Sequence, residues 1–159
     1  MSNPGTCLIF LVKAHPQLLI DEEDLQKFGL MTGRLLKGYV ELYRGHSSVA
    51  LHRLILGEPS GHVDHINGNS LDNRKSNLRV CSHTENMYNR GVQSNNVLGY
   101  KGVGKQAAGK GYTARITAGG KCKCLGTFKT AELAAEAYNE AALKLHGPFA
   151  KLNRIKGPA

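Results

Sequence analysis

The chain has 159 residues, with 21 Lys and Arg against 12 Asp and Glu and a formal net charge of +9. This length suits one ordinary domain or two small ones, and two small ones would each be marginal without a bound metal or nucleic acid. The positive charge predicts an anionic partner, nucleic acid ahead of a membrane surface. It is concentrated: residues 1–90 hold 10 Lys and Arg against 9 Asp and Glu, a net of +1, and residues 91–159 hold 11 against 3, a net of +8. This places non-specific nucleic-acid affinity mainly in the second half. The four cysteines, Cys7, Cys81, Cys122 and Cys124, form no CxxC pair. That argues against a cysteine-rich zinc site and a disulfide framework, and for a reducing, cytoplasmic setting.

In chain order, the apolar run Cys7–Val12 reads as a buried strand. It is too short to span a bilayer, and no basic residue precedes it as a signal peptide requires. Asp21–Phe28 reads as a short helix capped by Asp21, with acids in its first turn. Gly38–Tyr43 and Ser47–Leu51 form a predicted hairpin turning at Arg44-Gly45-His46. His52–Leu56 turns helical until Gly57 and Pro59 stop it. Val63–Ile66 and Leu78–Val80 are short strands around a polar loop that runs from Asn67-Gly68-Asn69 through Ser76. Ser82 and Glu85 form a capping box for a helix reaching Asn89. Gly91–Leu98 is a polar linker. Tyr100–Lys105, Tyr112–Thr117 and Lys121–Leu125 read as three strands, separated by the Gly-rich turns Ala107–Gly111 and Ala118-Gly119-Gly120. Thr130 caps an amphipathic helix, Ala131–His146, with the apolar stripe Leu133, Ala134, Ala137, Tyr138, Ala141, Ala142 and Leu145, and Gly147-Pro148 ends it.

The strand–loop–strand–helix segment carries the chemistry. Hydrolysing a phosphodiester needs a base to take a proton from water and a divalent cation to stabilise the developing charge. Asp64 offers a carboxylate, Asn86 a side-chain carbonyl and His65 a base. Neighbours on a strand point to opposite faces, so Asp64 and His65 at a strand end or twist lie on two sides of one phosphate. The residues Val63-Asp64-His65-Ile66-Asn67-Gly68-Asn69, Leu71-Asp72-Asn73-Arg74, Asn77-Leu78-Arg79 and Glu85-Asn86 resemble the HNH homing endonucleases of phages and introns, which have a ββα-metal fold. The resemblance covers His52 to Arg90, with Asn77 13 residues and Asn86 22 residues after Asp64. It implies that His65 is the general base, that Asp64 and Asn86 bind one divalent ion, Mg²⁺ or in its place Mn²⁺, and that Asn77 clamps the loop and so fixes His65. The last motif position, often His in relatives, is Asn86 here. That implies an oxygen-only, single-metal site with no structural zinc. His62 and His65 make an HxxH spacing with no third ligand, so His62 reads as exposed, and His83 faces away in the first helical turn. Arg74, Arg79 and Arg90 either touch phosphates or are solvated; Arg79 is retained as a DNA-binding candidate.

In the basic half, alternation turns Ala114 and Ile116 toward the helix and Thr113, Arg115 and Thr117 outward. Tyr100-Lys101-Gly102-Val103, Leu125-Gly126-Thr127-Phe128, Thr130-Ala131-Glu132, Ala134-Ala135-Glu136-Ala137-Tyr138-Asn139 and Leu152-Asn153 resemble the AP2/ERF domain over Gly99–Asn153. That family packs a three-stranded antiparallel sheet on one helix and lays the sheet in the DNA major groove. The resemblance implies that Thr113, Arg115 and Thr117 face DNA while Lys101, Lys105, Lys110 and Lys121 reach phosphates. Gly104, Gln106, Thr117, Cys122 and Cys124 stand where plant members carry base-reading Arg and Trp, and the chain has no Trp. The plant recognition code therefore does not carry over, and backbone-directed binding is expected. Lys123 falls at a position that should face the core: either it snorkels at the sheet edge or the register differs.

These readings give an α+β chain: an HNH domain over 1–90 with its core at 52–90, a linker over 91–98, an AP2/ERF-like domain over 99–153 and a tail over 154–159. The leading function is a metal-dependent homing endonuclease acting on double-stranded DNA, as monomer or homodimer. The alternatives are a DNA-binding regulator with a nuclease-derived domain and an RNA-directed nuclease.

Overall fold

The computed structural model, which describes residues 6–106, 109 and 111–155, separates into two units, 1–83 and 84–159. In the first, strands β1 (Thr6–Cys7), β2 (Thr32–Leu36), β3 (Tyr39–Arg44) and β4 (Ser47–Ala50) form an antiparallel sheet in that order. Helices α1 (Leu8–Ala14), α2 (Glu22–Phe28) and α3 (Leu51–Ile55) accompany it, and β5 (His62–His65) pairs with β6 (Leu78–Cys81) as a separate ribbon. The run Cys7–Val12, expected as one strand, is mostly the helix α1. Leu8 and Leu11 are buried and Val12 packs on the same cluster, while Phe10 is 59% exposed. That spacing follows the helical period, not strand alternation.

The expected hairpin is β3–β4, with Tyr43 opposite Ser48 and Arg44 opposite Ser47. On the other side of β3 lies β2, which the sequence reading missed. Its Leu35 pairs with Val40 and its Gly33 with Leu42. Val40 and Leu42 then meet Leu8, Leu18, Phe28, Leu51 and Leu78 in one core. Asp21 stands at the N-cap of α2 but makes no capping bond. Its Oδ2 instead accepts from the Lys75 backbone N–H at 2.8 Å, which ties the start of α2 to the loop before β6.

The second unit contains α4 (His83–Asn89), all but its first residue, then β7 (Val103–Lys105), β8 (Tyr112–Ala118), β9 (Lys121–Phe128) and α5 (Ala131–His146). The three strands form an antiparallel sheet in the order β7–β8–β9. Ala114 and Ile116 are buried in clusters shared with α5. Thr130 caps α5 by accepting the Leu133 N–H at 3.2 Å. The buried stripe of α5 is Ala131, Ala134, Ala135, Tyr138 and Ala142, whereas Leu133 and Leu145, expected in it, are 46% and 40% exposed. The small side chains allow close packing, and Tyr138 fills the remaining space over Gly102. A Cβ there would lie 2.2 Å from the Tyr138 ring, at a φ of +74°, so this position requires glycine.

The β8–β9 register shifts by one residue between Ala114 and Arg115, and beyond that shift Lys123 lies opposite Ile116 on the edge strand β9, exposed to solvent. Lys110, most of the turn Ala107–Gly111 and most of the 154–159 tail lie outside the described residues. No helix among the described residues is long and apolar enough to cross a membrane.

Segment 91–98 holds no strand or helix, but Asn96 orders its end. Its amide donates to the Tyr100 carbonyl at 2.7 Å and its Oδ1 accepts from Leu98 N at 3.0 Å. Asn153 then closes the unit by bonding both backbone groups of Lys101, at 2.6 and 3.0 Å. Helix α4 is anchored by Tyr88, whose ring stacks on His146 at 3.8 Å between centroids and whose hydroxyl accepts from Gly119 N at 3.1 Å.

His146 is buried, with Nε2 at 2.8 Å from the Thr117 carbonyl oxygen. Burial lowers its pKa below the ordinary histidine value, against a smaller upward effect of that hydrogen bond. A depressed folded-state pKa makes the stability from the neutral ring complete above about pH 6.5 and lost as the pH falls through the folded-state value. Urea midpoints followed by circular dichroism should therefore fall between pH 7.5 and pH 5, and His146→Phe should flatten that slope.

Candidate active site

In the β5–β6 ribbon Asp64 lies opposite Arg79 and His65 opposite Leu78. Directly opposed residues share a face, so Asp64 and Arg79 meet on one side while His65 turns with the core residue Leu78 to the other. Arg53 of α3 sets the approach to the ribbon, donating to the carbonyls of Pro59 and Gly61.

Between the strands, residues 66–77 are held by side-chain amides. Asn77 Oδ1 accepts from Asn67 N at 3.0 Å, and its Nδ2 donates to the Asp72 carbonyl at 2.8 Å. The Ile66 N–H reaches the Asn77 carbonyl at 2.9 Å. Asn67 and Asn69 each accept a backbone N–H two residues ahead, the local bonding that favours asparagine in turns. Asp72 is buried and forked by Arg74 Nε and Nη2, both at 2.8 Å. That hydrogen bonding leads the causes that lower the Asp72 pKa. Leu19 bonds both Leu71 and Asn73 through the backbone, so the N-terminal segment buttresses the loop.

His65 is buried beside the rings of His52 and Tyr39, with centroids at 5.1 and 6.1 Å. Burial lowers its pKa, partly offset by a hydrogen bond to Asn73 and by the Asp64 and Asp72 charges. His52 is pushed down to about 4, by burial first and then by His65 and Arg53. Both shifts favour the neutral rings at neutral pH, so the burial that lowers the His65 pKa also keeps a cationic ring from standing beside it.

Asp64 is 7% exposed. Its Oδ2 accepts from Arg79 Nε at 2.9 Å and Nη2 at 2.7 Å. Asn86 is a half-buried residue of α4, in the second unit. His62 and His83 are exposed, with ring centroids 5.2 Å apart.

On the second unit, Thr113, Arg115, Thr117, Cys122 and Cys124 share the sheet face turned away from α5. A shallow cleft of about 350 Å³ runs along it, lined by Gly104, Lys105, Thr113 and Arg115. Lys105 and Lys121 are exposed near the sheet margins. Lys101, expected to point at phosphate, is engaged elsewhere: its ammonium donates to the carbonyls of Tyr88 and Arg90 at 2.6 and 2.7 Å. Burial pushes its pKa down to about 8.

The sequence reading missed Tyr39, His52, Asn73 and the pairing of Arg79. His52 opens the stretch that carries the HNH resemblance, and Asn73 lies within its quoted motif. The Asp64–Arg79 pairing is implied once the two strands are put in antiparallel register.

Asn77→Ala should destabilise the first unit by about 1–3 kcal/mol, because it strands buried backbone groups at Asn67 and Asp72. Urea denaturation checks this, and Asn77→Asp, which keeps the acceptor and loses the donor, should fall between wild type and alanine.

Residues 49–88 match the family model described as HNH endonuclease. The chain is 37% identical over 94 residues to an uncharacterized HNH endonuclease, L560, of Acanthamoeba polyphaga mimivirus, covering 59% of this chain and 48% of that protein. It is 32% identical over 94 residues to Protein 3.8 of Escherichia phage T7, covering 58% of this chain and 77% of that protein. It thus spans about half the length of the first relative and about three-quarters of the second. No solved structure matches the chain significantly. Residues 49–88 are thus an HNH endonuclease domain, and the chain belongs to one family with Protein 3.8 of phage T7.

Proposed function

We propose that the chain is a metal-dependent DNA endonuclease of the homing type, with His65 as general base and Asp64 and Asn86 holding one divalent ion. The observation that carries this reading is a buried imidazole, kept neutral by its surroundings, next in sequence to a carboxylate that already holds a cationic partner. The donors suit a hard ion. Asp64 offers a carboxylate and Asn86 a side-chain carbonyl, hard oxygen donors of the kind that Mg²⁺ takes beside water and phosphate oxygens.

In this mechanism His65 takes the proton of the attacking water. Its hydrogen bond to Asn73 orients the ring, and the neutral His52 spares the imidazolium formed in the step a like-charge neighbour. Asn77 holds the loop that joins His65 to β6. A divalent ion held by Asp64 and Asn86 would stabilise the charge that develops on the phosphate and on the leaving oxygen.

The second unit serves as the grip on double-stranded DNA. Its resemblance to the AP2/ERF domain, the +8 charge of residues 91–159 and the sheet face bearing Thr113, Arg115 and Thr117 support that role. A face that carries Arg115 amid hydroxyls, thiols and Gly104 suits close approach to a groove, while Lys105 and Lys121 reach flanking phosphates.

The full chain with Mg²⁺ should nick supercoiled plasmid, and chelator should stop it. His65→Ala should lose at least about a hundredfold in rate. Absence of metal-dependent nicking by folded wild type on every DNA tried, its native locus included, would contradict the enzyme reading. Arg115→Ala and Lys121→Ala should each reduce the slope of log affinity against log salt by about 1, as read by fluorescence anisotropy on a DNA duplex.

A further inference from the structure

The Arg79 guanidinium places two N–H donors on one oxygen of Asp64, at 2.9 and 2.7 Å. The pair is largely withdrawn from solvent, at 16% and 8% side-chain exposure, and it spans the two strands at directly opposed positions. The sequence marks Arg79 as a DNA-binding candidate; in the structure it is the counter-cation of the carboxylate proposed to hold metal.

The geometry points to Arg79 as a gate on the metal site: guanidinium and divalent ion compete for Asp64, and Arg79, once displaced, turns to a phosphate of the bound DNA. This rests on the reading of Asp64 as a metal ligand. A divalent ion on Asp64 would lie within a few ångströms of the guanidinium, where like charges repel strongly in a partly desolvated setting. The displaced side chain carries planar paired donors that suit phosphate oxygens. Without DNA the carboxylate is neutralised by its own chain and holds metal weakly. With DNA, the phosphate offers Arg79 a second anion and Asp64 becomes available. DNA and metal therefore bind with positive coupling, each raising affinity for the other, and the centre is loaded chiefly where there is DNA to cut.

The test is Mn²⁺ affinity of the full chain without DNA, measured by electron paramagnetic resonance of the free ion. Arg79→Gln should bind Mn²⁺ roughly fivefold more tightly than wild type, the low end of the usual range for two coupled binding equilibria. Arg79→Lys, which keeps the charge, should stay near wild type. Equal or weaker binding by Arg79→Gln overturns the gate, because a residue that only orients Asp64 would give that result. If Asp64→Asn leaves Mn²⁺ binding unchanged in the wild-type background, the metal reading itself fails, and the gate with it. Should Arg79→Gln not fold, the wild type still decides the question. The Arg79 Nε–H nuclear magnetic resonance signal should change from protected to exchange-broadened on saturation with Mg²⁺, and a signal unmoved at saturation overturns the proposal.

Discussion

The Asn77 side chain spans the loop between β5 and β6 from inside, taking the Asn67 N–H just beyond one strand and giving its own to the Asp72 carbonyl before the other. A twelve-residue excursion in which eight residues are Asn, Asp, Gly or Ser has little apolar surface with which to hold its shape. Hydrogen bonds must supply that shape, and a buried amide with both a donor and an acceptor can bind two distant backbone groups at once. The β5–β6 register, and with it the meeting of Asp64 with Arg79, depends on this brace. So does the docking of Leu71 and Asn73 on Leu19, which recruits the N-terminal segment as a scaffold.

The charges follow a consistent pattern. Each buried carboxylate of the ribbon and loop has its own arginine, Asp64 with Arg79 and Asp72 with Arg74, as burial of a charge requires. The two imidazoles beside them stay neutral. The arginines differ in their surroundings: Arg74 is about half exposed, whereas Arg79 is mostly buried. Asp72 with Arg74 therefore reads as part of the loop's framework, and Asp64 with Arg79 as the pair on which the proposed metal site turns.

Local chemistry made much of this visible in the sequence. The Thr130 cap and the alanine-rich period gave α5 its bounds, and the alternation of Thr113 to Thr117 gave the two faces of β8. The capping box at Ser82 and the turn at Gly45 marked α4 and the β3–β4 hairpin. What escaped was decided by tertiary partners. A short apolar run does not say whether it is helix or strand until the face it packs on is known, and so α1 was read as a strand. Gly33 and Arg34 hid β2, whose strand character comes from pairing with β3. Leu133 and Leu145 were assigned to the core on hydrophobicity, although the sheet admits only the smaller alanine side of α5. At the site, Asp64 and His65 stood out by type, while His52 and Tyr39 come from other elements and only the fold brings them to His65.

The central claim is that Asp64 is the hard-oxygen anchor of a metal centre whose base is His65. Diffraction from crystals of the full chain bound to a DNA duplex and soaked with Mn²⁺, recorded at the manganese edge, tests it most directly. The account predicts an anomalous peak at about 2.0–2.3 Å from an Asp64 carboxylate oxygen, with the His65 ring facing the scissile phosphate. A peak seated on other residues, or Asp64 still held by Arg79 with metal and DNA both present, would contradict it.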